Sequence, residues 1–383
     1  MQKLSTYRTP NAYRCGMNHN SLKDYVTLGR SGLRVSPMCF GSMTFGDEWK
    51  IGTDIDESCS MLTQYLQAGG NFIDCANMYN KGHSEKILGD YFSAGAGKGS
   101  RDRVVIATKF MGNMWPGDPN GGGAGRKAIR HAVEDSLRRL QTDHIDLLWA
   151  HFWDQHTPVE EMMSQMDQLV KAGKVLHIGL SDHPAWVCVK CQYTALMRGW
   201  EPLCALQIEY SLLQRTVESE LMTMALDLNL GVTPWGSLRG GVLSGKFDRN
   251  HLPKDDGTTR VKSTSPWMVE KTFVLLDCLK EIAVAHQATV AQVALRWVLD
   301  QRGVTSVIIG ARHSAQLADN LGAFAVKLTA EERSTLAELT KFEPPFPWKF
   351  FDTMPTAIQN GTTVNGQKSD VWDGSPKTAA ERF

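Results

Sequence analysis

Short apolar runs alternate with longer segments of helical period through most of this chain. Phe72 to Ala76 is a compact apolar run broken only by Asp74, and it follows Gly69-Gly70 directly. Val104 to Phe110 and Ile145 to His151 repeat the type, being β-rich and continuous enough to be buried on both faces. Further runs centre on Ile178, Leu206, Thr233 and Ile308, and Met38 to Gly41 supplies the first. Between them, apolar residues at helical spacing predict helices near 54–68, 84–94, 126–140, 159–172, 184–198, 216–229, 289–301 and 314–323, with an extra one over 271–285. Asp54 is placed to cap the first, and Thr157-Pro158 reads as a cap and a proline opening the fourth.

Strand–helix alternation implies parallel strands joined by right-handed crossovers. The count favours a single α/β fold, a closed (β/α)8 TIM barrel, over an open doubly wound sheet. The first strand is not followed by Gly-x-Gly-x-x-Gly, which also weighs against a Rossmann domain. Residues 1–24 have no period and predict an irregular arm. Tyr25 to Ser36 alternates around a Ser-Gly turn and predicts an N-terminal hairpin. The barrel is expected over 25–342. A C-terminal extension, 343–383, carries Phe346, Trp348, Phe350 and Phe351, too many aromatics for a free tail, and is expected to pack on the barrel.

The chemistry follows from where strands end. In a parallel barrel all strand C-termini share one face. Asp74 ends one strand with Tyr79 just beyond it, Lys109 ends the next, and His151 ends the one after. A buried Asp is costly without a partner, and Lys109 is the candidate. A phenol beside an ammonium can serve as a proton donor, so Tyr79 could act as an acid if Lys109 lowers its pKa, with Asp74 orienting Lys109 and His151 offering a further hydrogen bond. Taken singly, each residue reads better as structural, since a lone buried Asp–Lys pair is usually structural.

Asp-x4-Tyr-x2-Gly-x-Ser-Glu (Asp74 to Glu85), followed in order by Lys109 and His151, resembles the catalytic tetrad of the aldo-keto reductases, a likeness running from about Tyr25 to Phe342. Asn80 stands where the family usually has Gly. The resemblance implies Asp74, Tyr79, Lys109 and His151 as catalytic residues and NADP(H) as cofactor. It implies a carboxamide site at Ser181, Asp182 and Gln207, with Asp182 a departure from the usual Asn, and Trp235 stacking on the nicotinamide. Gly236, Ser237, Leu238, Gly240, Lys246 and Arg260 correspond to the pyrophosphate loop. Gly310, Arg312, Gln316 and Asn320 correspond to the adenosine segment, with Arg312 on the 2′-phosphate. Gly41, Ser42, Met43 and Asp74 are expected to contact the cofactor as well. Trp49, Met78, Met111, Trp115, Phe152 and Trp153, just beyond strand ends, are candidates for an aromatic substrate pocket.

Composition adds exclusions. The formal net charge is zero, with 41 basic and 41 acidic residues, which argues against a dedicated nucleic-acid or anionic-membrane surface. No apolar run is long enough to span a bilayer, and the N-terminus lacks a secretory signal. The 8 Cys are scattered and read as reduced thiols of a cytoplasmic protein. Cys188-x-x-Cys191 has no second ligand pair nearby and reads as helix packing, so no metal is expected. The cluster Gly121 to Gly125 lacks Gly-Lys-Ser/Thr and reads as a loop entering a helix. The expected partner is a small carbonyl or alcohol, with homo-oligomerisation and reaction direction left open. The other class of function compatible with the pattern is a nucleotide-sensing regulatory subunit of the potassium-channel β-subunit type. In that group the His position is typically replaced, so His151 favours an enzyme.

Overall fold

A computed structural model describes residues 19–257, 259–351 and 354–382 of the chain. Of the expected N-terminal arm, residues 1–18 lie outside the described residues. The hairpin is present as β1 (Val26–Thr27) and β2 (Arg34–Val35), paired antiparallel. The barrel strands are β3 (Met38–Gly41), β4 (Phe72–Asp74), β5 (Val105–Phe110), β6 (Ile145–Ala150), β7 (Val175–Ser181), β8 (Ala205–Glu209), β9 (Gly231–Trp235) and β10 (Val307–Ile309). They form one eight-stranded parallel sheet in sequence order, with β10 beside β3. Thr305 N–H donates to Val232 C=O at 2.8 Å, drawing β10 back to β9 and bringing the barrel close to closure.

The helices are α1 (Ile55–Gln67), α2 (His83–Ser93), α3 (Arg126–Leu140), α4 (Val159–Lys171), α5 (Ala185–Arg198), α6 (Leu221–Asp227), α7 (Glu270–Ala285), α8 (Val290–Leu299), α9 (Ser314–Leu321) and α10 (Ala330–Leu339). Asp54 caps α1 by accepting from Glu57 N–H at 2.8 Å. The α4 expectation needs correction. Pro158 is itself the cap residue, and the Thr157 hydroxyl donates to Asp154 at 2.6 Å instead of capping. Residues 216–218, expected as helix, form a 3-10 turn ahead of a shorter α6. Helix α10 was not anticipated, although its Thr329–Glu332 capping box is legible in the sequence. Cys188 and Cys191 are both buried on α5.

The barrel has two ends that do different work. At the strand N-termini the hairpin closes it: Val26, Leu28 and Val35 pack with Cys39, Phe72, Leu147, Trp149 and Ala205 in one cluster. Gly29 makes that approach possible. It has φ 61°, and a Cβ there would lie 2.0 Å from the Cys204 carbonyl oxygen. Gly179 likewise leaves room for the buried Trp149 ring, which a Cβ would meet at 2.4 Å. With that end filled, only the C-terminal end can hold a site.

Residues 341–383 form a separate compact unit. Within it are two short helices, α11 (Trp348–Phe351) and α12 (Met354–Gln359), and a two-stranded ladder of β11 (Thr363–Val364) and β12 (Gln367–Lys368). Trp348 and Phe351 meet edge to face at 6.3 Å.

Candidate active site

Four strand ends deliver the central cluster. Asp74 is the last residue of β4, Lys109 lies one residue before the end of β5, and His151 directly follows β6. In the parallel register Asp74 pairs with Ala107, and the long Lys109 side chain reaches back across this offset. Its ammonium donates to Asp74 Oδ2 at 2.5 Å, to the Cys75 carbonyl at 2.7 Å and to Tyr79 Oη at 3.0 Å. All three ammonium hydrogens are thereby used. Gln207, on β8, donates to the second Asp74 oxygen at 2.9 Å. This acid and base are fully enclosed, at 4% and 0% side-chain exposure. Burial alone would discharge Lys109, yet the adjacent Asp74 and Tyr79 raise its pKa above the ordinary lysine value, so it stays charged.

Tyr79 opens a 3-10 turn in which Asn80 and Lys81 are left-handed, with φ 45° and 57°. Asn80, in place of the usual glycine, adopts that conformation readily. Its buried amide donates to Phe45 C=O at 2.8 Å and Met43 C=O at 3.1 Å, and accepts from Trp49 N–H at 3.1 Å. It therefore anchors the loop that carries Met43 and Trp49. The His151 ring stands edge to face with Tyr79, centroids 5.9 Å apart. Burial and the Lys109 charge hold its pKa down to about 3, so it is neutral at any working pH. Its Nδ1 is buried without a hydrogen-bond partner among the described residues.

The expected lowering of the Tyr79 pKa is not the net result. Lys109 does lower it, but burial of the phenol is the larger effect and leaves the pKa raised above 10. The phenol is therefore protonated at neutral pH, and Lys109 limits the cost of ionising it.

A cavity of about 990 Å³ opens over this cluster. Asp74, Tyr79, His151, Gly41, Met43, Ser181, Asp182, Gln207 and Trp235 line it at the strand ends. Ser42 does not reach it: its hydroxyl is buried and donates to the Asp74 carbonyl at 3.0 Å. Asp182 is left-handed at φ 49° and accepts from the Trp235 indole N–H at 3.1 Å. It is accessible from the cavity but walled by protein elsewhere. That desolvation raises its pKa to about 6, against the opposing pull of Trp235 and Lys109.

The remaining wall is loop. Gly236, Ser237, Leu238, Gly240, Lys246, Arg260, Gly310, Arg312, Gln316 and Asn320 all line the cavity. Gln316 accepts from Arg312 N–H at 2.9 Å and Asn320 donates to Gly310 C=O at 3.2 Å, so both also shape the 310–312 segment. Lys246, Arg260 and Arg312 lie close enough to act on one another. Burial lowers the pKa of Lys246, and the charges of Arg312 and Arg260 lower it further. Burial lowers the pKa of Arg260, with Tyr79 opposing and Arg312 adding a smaller push in the same direction as burial. The buried Ser237 hydroxyl has no hydrogen-bond partner among the described residues. Gathered cations and an unpartnered hydroxyl are groups whose chemistry suits an anion.

The candidate substrate residues divide. Trp49, Met78 and Phe152 line the cavity. Met111, Trp115 and Trp153 do not. Met111 has φ 106° and is buried in the core; Trp115 is 61% exposed; Trp153 packs edge to face on Trp186 at 5.4 Å. Sequence reading missed Ile51, Arg239 and Trp267, which do line the cavity. Arg239 stacks on the Trp267 ring at 4.1 Å and pairs with Glu209. Trp267 lies in an aperiodic loop, and its apolar bulk was the only available signal.

The sequence profile of the aldo/keto reductase family matches residues 37–341. The norsolorinic acid reductase stcV of Emericella nidulans is 35% identical over 333 residues, covering 85% of this chain and 83% of that protein. The aryl-alcohol dehydrogenase [NADP(+)] of Phanerodontia chrysosporium is 31% identical, covering 84% and 86%. An uncharacterized oxidoreductase of Bacillus subtilis, YrpG, is 38% identical, covering 80% and 93%.

Proposed function

This chain belongs to the aldo/keto reductase family and is an oxidoreductase of carbonyl and alcohol groups, and from that premise we propose that it interconverts aryl carbonyls and aryl alcohols with NADP(H), Tyr79 serving as general acid and base. The observation that carries this is the Lys109 ammonium, held on Asp74 and Cys75 C=O and aimed at Tyr79 Oη at 3.0 Å beneath an open cavity.

In reduction, the Tyr79 hydroxyl gives its proton to the developing alkoxide, and Lys109 stabilises the phenolate left behind. In oxidation the phenolate takes the alcohol proton. Neutral His151 supplies a hydrogen bond that positions the substrate oxygen without competing as an acid. No side chain here carries hydride, and the nicotinamide cofactor supplies that chemistry when bound. The residues fit it. Lys246, Arg260, Arg312 and the idle Ser237 hydroxyl suit its phosphates, with Arg312 taken for the 2′-phosphate. Ser181, Asp182, Gln207 and Trp235 suit the nicotinamide end.

An aromatic substrate is supported by Trp49, Ile51, Met78, Phe152 and Trp267 on the cavity wall. It is also in keeping with the names of the relatives. The test is NADPH oxidation over a panel of aryl aldehydes, polycyclic ketones and aliphatic controls, run in parallel with Tyr79→Phe. Turnover of aryl carbonyls that Tyr79→Phe abolishes supports the reading. Tight cofactor binding with no turnover across the panel would leave a nucleotide sensor instead.

A further inference from the structure

Four acidic residues line the cavity, and two of them are ion-paired, Asp74 with Lys109 and Glu209 with Arg239. Asp319, on α9, accepts from the neutral Gln292 at 2.8 Å and Thr289 at 3.1 Å. Asp182 lies instead directly after β7, among the residues assigned above to the nicotinamide end. Its polar contacts are the neutral Trp235 N–H at 3.1 Å and the Ser181 hydroxyl at 3.5 Å, and among the described residues no cation lies within ion-pair distance. Its backbone is left-handed, with φ 49°, and it lines the cavity. The cavity is thus polar, with Lys246, Arg260 and Arg312 in its loop walls and Asp182, a carboxylate without an ion pair among the described residues, at the strand ends.

That polarity discriminates between two forms of one ligand. The oxidised nicotinamide ring carries a positive charge and the reduced ring carries none, while the phosphates and adenosine are identical. A pH-dependent difference in binding between the two therefore reports a titrating charge at the ring end. Resting on the NADP(H) reading above, we propose that Asp182 is a redox-state selector, binding the oxidised cofactor in preference to the reduced one and tilting the bound equilibrium toward alcohol oxidation. An asparagine at this position, with the same shape and no charge, would lack the preference.

The preference depends on the ionisation of Asp182. Its pKa, raised to about 6, leaves it charged above that pH and neutral below it. The surrounding titratable groups hold their state through this window. Lys109 and Tyr79 are raised, and His151 and His183 are held down to about 3 and about 4. Asp74 and Glu209 are tied to Lys109 and Arg239. The cofactor's own 2′-phosphate also titrates, but it is common to both forms and cancels in their ratio.

The experiment measures dissociation constants of NADP⁺ and NADPH for the full-length protein by calorimetry, from pH 5.5 to pH 8.5, without substrate. For the wild type, the NADPH/NADP⁺ ratio of dissociation constants should rise on the order of tenfold across this range, the scale of one partly screened charge pair. For Asp182→Asn the ratio should be flat and equal to the wild-type value at low pH. A flat ratio in the wild type, or the same rise in Asp182→Asn, overturns the proposal while leaving the cofactor reading intact. Failure of the wild type to bind either form overturns both. The wild-type titration stands even if the variant does not fold.

Discussion

At the strand ends, Lys109 is enclosed with its counter-charge, every ammonium hydrogen directed at a named oxygen. At the loop end, Lys246, Arg260 and Arg312 crowd together, and burial and the neighbouring charges lower the basicity of Lys246 and Arg260. The first region spends its charge inside the protein and holds its geometry before any ligand arrives, as catalysis requires. The second gathers like charges on loops, an arrangement that a bound anion would ease. Rigid strands suit the first task and loops the second, because a hydrogen-bond geometry good to a few tenths of an ångström needs a fixed backbone, whereas attraction between charges tolerates movement.

If the division holds, a change at the strand ends should alter chemistry and leave binding alone. Tyr79→Phe removes one hydroxyl and should lower turnover by about 10²–10⁴. NADPH affinity, read by fluorescence titration, should stay within error; a matching loss of affinity would merge the two regions. Lys109→Met should reduce turnover comparably, since the phenolate loses its stabilising charge. It should also cost about 3–5 kcal/mol of stability, because Asp74 is left buried without its cation. Chemical denaturation reads that loss, and an unchanged midpoint would show that Asp74 finds another partner.

The pH profile sharpens the same region. Reduction needs the protonated phenol, and burial raises the Tyr79 pKa above 10. Reductive turnover at saturation should therefore run flat through neutral pH and fall only in the alkaline range, while alcohol oxidation rises toward it. A decline in reduction near pH 7 would assign the proton to another group.

A change at the loop end should do the converse. Arg312→Ala should weaken NADPH about tenfold or more, the scale of a charge-assisted hydrogen bond, and NADH far less. Turnover at saturating NADPH should persist. Equal losses for the two cofactors would detach Arg312 from the 2′-phosphate.

The smallest effect concerns stability. Asp182 has a raised pKa in the folded protein, so the fold is favoured while the group is protonated and loses that advantage as pH rises from about 4 through about 6. Asp182→Asn should therefore raise the apoprotein Tm slightly at pH 8 and leave it unchanged at pH 4. The shift is small because the carboxyl is accessible from the cavity.

Much of this molecule is local in origin and so legible in the chain. Strands are set by continuous apolar runs and helices by an apolar period of 3.6, and a parallel barrel then sends every strand end to one face. Asp74, Lys109 and His151 needed no more than their places at those ends, and the Asp74–Glu85 spacing supplied Tyr79. What the sequence could not decide depends on side-chain direction and on competition between opposing effects. Met111, Trp115 and Trp153 sit just past strand ends as Trp49 and Phe152 do, yet backbone angle and neighbouring rings turn them away from the cavity. Ile51 and Trp267 come to the wall from aperiodic loops whose course is set by long-range packing. The Tyr79 pKa was read from its nearest charge, but its sign is set by the sum of burial and charge, and burial wins. The chain by itself determined the order of elements and which chemical groups lie at their ends, because both follow from neighbours in sequence. Which way those groups point, how dry they are and which stay without a counter-charge, as Asp182 does, was decided only by tertiary structure, because each depends on residues tens of positions away in the chain brought within a few ångströms.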